Sequence, residues 1–118
     1  MLRIFVAGTS SLEPGEAKVF RFRRGRHALE GFVLRTPVGL TAFANECPHW
    51  HVDLDLGTQD FWDPSSGRIF CKNHAALFHP DTGICERGPC VGLSLERFEV
   101  DVGAEGAHVS VPDAEPYE

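Results

Sequence analysis

The middle of the chain contains two short segments in which a cysteine and a histidine lie close together: CPH at residues 47–49 and CKNH at residues 71–74. Together they offer two thiolates and two imidazoles, which are common metal ligands. Because 21 residues separate His49 from Cys71, the segments lie on different loops that must fold towards one another. Residues 45–90 show little strand periodicity, so we expect a metal centre to order this region.

Two kinds of metal centre accept a Cys₂His₂ ligand set. One is a tetrahedral zinc ion; the other is a [2Fe–2S] cluster in which two cysteines hold one iron and two histidines hold the other. Zinc motifs favour about two to four residues between paired ligands, whereas only Pro48 separates Cys47 from His49. This spacing favours the cluster and leaves zinc as the alternative.

Length and charge restrict the class of protein. The 118 residues suffice for one domain, 1–118, with residues 45–90 as a metal-binding subdomain within it. Eleven basic and 17 acidic residues give a net charge of −6, which argues against nucleic acid and anionic membranes as partners. The apolar stretch at residues 4–7 is too short for a signal peptide or a membrane span, so we expect a cytoplasmic protein.

Short strands separated by turns are predicted over the rest of the chain. Residues 11–18 contain Pro14 and Gly15 and are predicted to form a turn. Alternating or β-rich patterns occur at residues 20–23, 28–36, 40–44, 68–71, 75–78, 98–102 and 108–111. Many short strands of this kind predict an all-β protein, an antiparallel sandwich or barrel.

The two ligand segments resemble the motif of Rieske-type [2Fe–2S] domains, in which Cys-x-His is followed by Cys-x-x-His. The run FHPDTG at residues 78–83 and the pair Gly88-Pro89 resemble the Thr-Gly turn and the cluster-covering loop of that family. The resemblance spans roughly residues 12–111, with a longer spacer than is typical. It implies the Rieske fold, with a small inserted cluster-binding subdomain.

The resemblance also implies the cofactor and its ligands. The cofactor is a [2Fe–2S] cluster, with Cys47 and Cys71 on the inner iron and His49 and His74 on the outer iron. Because the protein fills every ligand position, no iron is open to substrate. We therefore expect an electron carrier without catalytic residues.

Several residues depart from the high-potential branch of the family. Val52 and Asn73 stand where that branch has disulfide-forming cysteines, and Ala76 and Phe78 stand where it has Ser and Tyr hydroxyls near the cluster. The resemblance thus implies a soluble, low-potential ferredoxin with a midpoint reduction potential of about −150 mV. Ala75 occupies a position at which many relatives have glycine.

The partners that the resemblance implies are a flavin-dependent NAD(P)H reductase as electron donor and a terminal oxygenase as acceptor. We expect both to dock transiently near His49 and His74 on a monomeric protein. Two alternatives remain. One is a Rieske-type subunit of a larger reductase, such as an assimilatory nitrite reductase, and the other is a structural zinc-binding interaction module.

The other cysteines and histidines are expected to have ordinary roles. Cys85 and Cys90 are predicted to be plain thiols in or beside the covering loop, and His79 a loop residue. His51 is a possible substitute for His49 as ligand. Acidic residues around the first ligand loop are predicted to form a solvated face that steers docking: Asp53, Asp55, Asp60 and Asp63.

Overall fold

Eleven strands form nearly all the regular structure in a computed structural model of the chain, which describes residues 1–48, 52–73 and 75–117. The strands are β1 (Leu2–Ala7), β2 (Ala17–Arg24), β3 (His27–Thr36), β4 (Gly39–Ala44), β5 (Trp62–Asp63), β6 (Arg68–Phe70), β7 (Leu77–Phe78), β8 (Cys85–Arg87), β9 (Arg97–Val102), β10 (Gly106–Val111) and β11 (Glu115–Pro116). Over the same residues the one helical element is a 3₁₀ turn at Thr9–Ser11. The described chain has no helix with the length and hydrophobicity to cross a membrane.

Seven strands form one antiparallel sheet in the order β1-β10-β9-β4-β3-β2-β11. Its edge strand β1 lies beside β2, so the sheet almost closes on itself as a barrel. The other four strands form a separate antiparallel sheet in the order β5-β6-β7-β8. The predicted all-β antiparallel fold is therefore confirmed.

The strand patterns explain the central strands of the barrel. In β2, the side chains of Phe20 and Phe22 are buried while Arg21 between them is exposed, as period-2 alternation requires. The predicted hairpin of residues 28–36 and 40–44 is formed by β3 and β4, and their register pairs Thr36 with Gly39. Of the turn predicted over residues 11–18, Pro14 and Gly15 form a turn, whereas residues 17 and 18 already belong to β2.

Strand β3 is buried on both of its faces and separates two cores. Val33 contributes to the barrel core, together with Phe22 and Phe98, whereas Phe32 and Leu34 belong to a second core shared with the small sheet. This second core also contains all four cysteines. The outer face of β3 and β4 is therefore the support against which the cysteine-bearing loops pack.

Four strands were not predicted as strands: β1, β5, β8 and β11. Strand β11 has two exposed residues, and β5 has two half-buried ones, so neither carries a periodic apolar pattern. Strand β1 has only Val6 buried, because pairing with β10 holds it at the sheet edge. The expected alternation of β9 also stops early, since Val102 is exposed at the end of the strand.

Gly31 in β3 makes room for an aromatic ring of the barrel core. It lies opposite Phe20 of β2, and a Cβ atom added at Gly31 would be 2.3 Å from the Phe20 Cζ atom. The Phe20 ring is itself packed near Phe22 and Phe98, at centroid distances of 6.1 and 6.2 Å. The ring has little freedom to move away, so a larger residue at position 31 would overpack the core.

We therefore expect Gly31→Ala to lower the free energy of unfolding by about 1–3 kcal/mol, the usual cost of overpacking a core. Chemical denaturation monitored by circular dichroism measures this change. Phe20→Leu removes the obstructing ring, so the double variant should lose less stability than the sum of the single variants. Strictly additive losses would contradict the proposed contact.

Candidate metal centre

The first ligand segment follows directly from the end of β4. Cys47 is buried, and its backbone N–H donates to the carbonyl of Val52 at 2.8 Å, which holds these two residues together. His49 and the neighbouring His51 lie outside the described residues. Of this segment, the structure thus places Cys47 in the core shared by the barrel and the small sheet.

A buried polar network anchors the base of this first loop. The side-chain oxygen of Asn45 accepts the Leu54 N–H at 2.8 Å, and its amide donates to Asp55 at 3.0 Å and to Glu30 at 3.2 Å. Asp55 is only 1% exposed and also accepts the backbone N–H of Gln59 at 2.9 Å. Asp55 is therefore a structural acceptor rather than part of a solvated acidic face. A buried carboxylate needs such partners to offset its desolvation.

The other acidic side chains near this loop have different environments. Asp53 is exposed; partial burial, followed by the charges of Glu30, Asp55 and Glu46, raises its pKa. Hydrogen bonds from Ser66 and Ser65 lower the pKa of Asp63. Of the four residues predicted to form one acidic face, Asp53 and Asp60 are exposed, Asp63 is half-buried and Asp55 is fully buried.

The second ligand segment lies between β6 and β7. Cys71 is fully buried, its N–H donates to the carbonyl of Ala76 at 2.9 Å, and its carbonyl accepts the N–H of Ala75 at 2.9 Å. These two bonds hold Cys71 beside Ala75 and Ala76. His74, the other predicted ligand of this segment, lies outside the described residues.

A backbone hydrogen bond joins the two ligand-bearing segments. The Lys72 N–H, next to Cys71, donates to the carbonyl of Leu54 at 2.9 Å, and Leu54 is held in turn by Asn45. The Lys72 ammonium also lies 3.5 Å from the carboxylate of Asp60. The structure thus brings together the two loops that the sequence separates by 21 residues.

Ala75 in the second loop has a left-handed backbone conformation, with φ of 57°. Glycine adopts this conformation without steric cost, whereas a residue with a Cβ atom does so at about 1 kcal/mol. The position at which many relatives of the resembled family have glycine is therefore one whose geometry favours glycine. The loop keeps this shape in spite of the alanine.

The Gly88-Pro89 turn lies against the second ligand loop. Gly88 has φ of 105°, and a Cβ atom added there would be 2.8 Å from the Cα atom of Ala76. Ala76 and Phe78 are both fully buried, and neither provides a hydroxyl group. The contact agrees with the covering position that the Gly-Pro pair has in the resembled family.

The two cysteines outside the ligand segments lie side by side in the same core. The sulfur atoms of Cys85 and Cys90 are 2.9 Å apart, and both residues are buried. Burial, followed by contacts with Cys85 and with Cys47, raises the pKa of the Cys90 thiol to about 12. His79, as predicted, lies in a loop, where its Nδ1 atom accepts the N–H of Asp81 at 3.1 Å.

The donor chemistry of the described residues fits half of a Cys₂His₂ centre. Cys47 and Cys71 supply two buried sulfurs on loops that are hydrogen-bonded to each other. No group of three metal-binding side chains occurs within residues 1–48, 52–73 and 75–117. In the sequence, His49 is two residues after Cys47 and His74 is three residues after Cys71.

Comparisons with known proteins identify the family. The model of the Rieske [2Fe-2S] domain matches residues 3–99, most of the chain. The chain therefore belongs to the Rieske [2Fe-2S] domain family, whose domain carries a [2Fe–2S] cluster. A comparison with curated protein sequences found no match.

Solved structures of the same architecture include a ferredoxin. The chain is 27% identical to the ferredoxin of carbazole 1,9a-dioxygenase from Nocardioides aromaticivorans IC177, with a TM-score of 0.69, over 93% of this chain and 98% of that one. A chain in a complex of reduced oxygenase and oxidized ferredoxin of carbazole 1,9a-dioxygenase is 28% identical, with a TM-score of 0.67 and 92% of both chains covered.

A larger protein shares the fold. The terminal oxygenase of carbazole 1,9a-dioxygenase from Novosphingobium sp. KA1 has a TM-score of 0.73 at 17% identity. The match covers 98% of this chain but only 31% of the oxygenase chain. In length, the chain matches the ferredoxin.

The conformation of Ala75 yields a test of the second ligand loop. We expect Ala75→Gly to be neutral or to raise the free energy of unfolding by up to about 1 kcal/mol, because relief of the left-handed strain offsets the greater entropy of the unfolded chain. The neighbouring Ala76→Gly is the matched control. It removes a buried methyl group without relieving such strain, and should destabilise by about 1 kcal/mol or more. Equal losses in thermal unfolding would contradict the assigned geometry.

Proposed function

We propose that the chain is a Rieske ferredoxin that carries single electrons to a terminal oxygenase. The observation that carries the proposal is the backbone hydrogen bond from the Lys72 N–H to the Leu54 carbonyl, which joins the segments that bear Cys47 and Cys71. These segments lie in a chain that matches the Rieske domain. The ferredoxin of carbazole 1,9a-dioxygenase, which the chain resembles over nearly its full length, supports the choice of acceptor.

The proposed ligands are Cys47 and Cys71 for the inner iron and His49 and His74 for the outer iron. When bound, a [2Fe–2S] cluster takes up and releases one electron. Neutral imidazoles in place of two thiolates remove two negative charges, which makes electron uptake easier than in an all-cysteine site. The two buried cysteines exclude water from the inner side of the site.

With four protein ligands, the proposed site offers no position to a substrate. This supports a role in electron transfer rather than catalysis, in which the protein sets the position and surroundings of the cofactor. The chain itself would then contribute no general acid, base or nucleophile. The reaction on the final substrate would belong to the oxygenase.

The proposed docking surface surrounds the outer iron near His49 and His74. Val91 and Leu93, which follow the Gly88-Pro89 turn, are exposed apolar side chains of the kind found at the centres of transient interfaces. Exposed Asp53 and the net charge of −6 would speed the approach of a partner with a basic surface.

The proposed electron donor is a flavin-dependent NAD(P)H reductase, and the proposed state is a cytoplasmic monomer. The reductase and the monomeric state rest on the family resemblance, and the cytoplasmic location rests on the short apolar stretch at residues 4–7. A pull-down from the host distinguishes the free electron carrier from the alternative of a permanent reductase subunit. Recovery of a separate reductase and oxygenase, each in salt-sensitive association, supports the carrier, whereas a stoichiometric, salt-resistant complex with one large reductase supports the subunit.

The ligand assignment predicts which histidine variants lose the cluster. We expect His49→Ala and His74→Ala to lose the visible absorption of the aerobically purified protein and most of its iron. The matched controls His51→Ala and His79→Ala, which change neighbouring histidines, should keep both. Visible spectra together with iron and acid-labile sulfide analysis measure this. Retained spectra in both ligand variants, or loss in His51→Ala in place of His49→Ala, would show that the ligands are wrongly assigned.

The carrier function predicts a reversible one-electron step at low potential. Ala76 and Phe78 offer no hydroxyl to the cluster sulfurs, so we expect a midpoint reduction potential of about −150 mV in an anaerobic redox titration. Ala76→Ser should raise this midpoint, because a hydrogen bond to sulfur stabilises the more negative, reduced state. Ala107→Ser, equally buried but on strand β10 of the barrel, is the control and should leave the midpoint unchanged. A wild-type midpoint above zero would contradict the low-potential assignment.

A further inference from the structure

The geometry of Cys85 and Cys90 points to an intramolecular disulfide: we infer that these two thiols, which are not among the proposed cluster ligands, form a redox-active pair. Their sulfur atoms lie 2.9 Å apart, within a core that also contains Cys47 and Cys71. Bond formation requires an approach of only about 0.9 Å, to the S–S length of about 2.05 Å.

Hydrogen bonds orient the two sulfurs towards each other. The Cys90 thiol donates to the sulfur of Cys85, and the Cys85 thiol donates to the carbonyl of Arg87 at 3.3 Å. The backbone holds the same geometry, because the Cys85 N–H donates to the carbonyl of Leu93 at 2.9 Å and the Leu93 N–H donates to that of Cys90 at 2.9 Å. The sulfurs can therefore approach with little movement of the chain.

Burial determines which oxidant reaches the pair. Cys85 is 2% exposed and Cys90 is 1% exposed, so a small two-electron oxidant, hydrogen peroxide, is the reagent that fits. One thiol is oxidised to a sulfenic acid as the O–O bond breaks and one water leaves. The other sulfur then attacks it, a second water leaves, and the S–S bond forms. Overall, two thiols and one peroxide give one disulfide and two waters.

The disulfide would fix the turn that lies against the second ligand loop. Cys85 is the first residue of β8, and Cys90 directly follows Gly88-Pro89. Because Gly88 packs on Ala76, the new disulfide would link the Gly88-Pro89 turn, which lies against the second ligand loop, to strand β8 of the small sheet. The oxidised protein should accordingly unfold at a higher temperature than the reduced protein, and a thiol reductant should reverse the increase.

Peptide mapping tests the inference, because trypsin separates all four cysteines. Cleavage after Arg35, Arg68, Lys72, Arg87 and Arg97 places Cys47 on residues 36–68, Cys71 on 69–72, Cys85 on 73–87 and Cys90 on 88–97. The cluster-loaded protein is treated with hydrogen peroxide, alkylated under denaturing conditions and digested. We expect peptides 73–87 and 88–97 to be recovered as one linked species that reduction separates.

The variants and the other two cysteines provide the controls. Cys85→Ser and Cys90→Ser should each abolish the linked species and the reversible rise in unfolding temperature. If either variant fails to fold, the peptide map of the wild-type protein alone still tests the inference. Recovery of 73–87 and 88–97 as separately alkylated peptides would overturn the inference. So would links to 36–68 or 69–72 in place of the predicted pair, since these would show that the ligand cysteines react instead.

Discussion

The backbone hydrogen bond from Lys72 to Leu54 determines the relation between the two parts of the site, because it joins loops that lie far apart in sequence. On one side it continues through Leu54 to Asn45 and Asp55, whose buried network sets the base of the first loop. On the other it adjoins Cys71, whose loop closes through Ala76. Two sulfurs on separate loops can bind one cluster only if the loops lie close together, and this hydrogen bond helps to hold them so.

The barrel serves mainly as a support for this arrangement. Strand β3 is buried on both faces, so that Val33 completes the barrel while Phe32 and Leu34 form the base of the second core. A stacked contact of 4.0 Å between the rings of Phe32 and Phe61 connects that base to the segment between the two ligand loops. Removal of barrel stability should therefore also disturb the metal centre.

The sequence alone was sufficient for the class of fold and for the family. Alternation at Phe20 and Phe22 predicted a barrel strand, and the resemblance of the Cys47 and Cys71 segments to the Rieske motif indicated the family, which the domain match confirms. These features are local: a strand face has period 2, and a ligand pair occupies three or four residues. The assignment of His49 and His74 as ligands stays a prediction.

Features that depend on tertiary contacts were not accessible in this way. Asp55 looked like its exposed neighbour Asp53, because both are aspartates in one polar loop, and only the placement of Asn45 makes Asp55 a buried acceptor. The approach of Cys85 and Cys90 likewise depends on the turn between β8 and Leu93. Strands β5 and β11 are two residues long and show no pattern at all.

The most direct test of the account is the metal content of the aerobically purified protein, measured with its visible spectrum before and after dithionite. The account predicts a red-brown protein with two irons and two sulfides per chain, and bands that bleach on reduction. A colourless protein from iron-supplied cells, with one zinc and no iron per chain, would contradict it and support the structural zinc module instead.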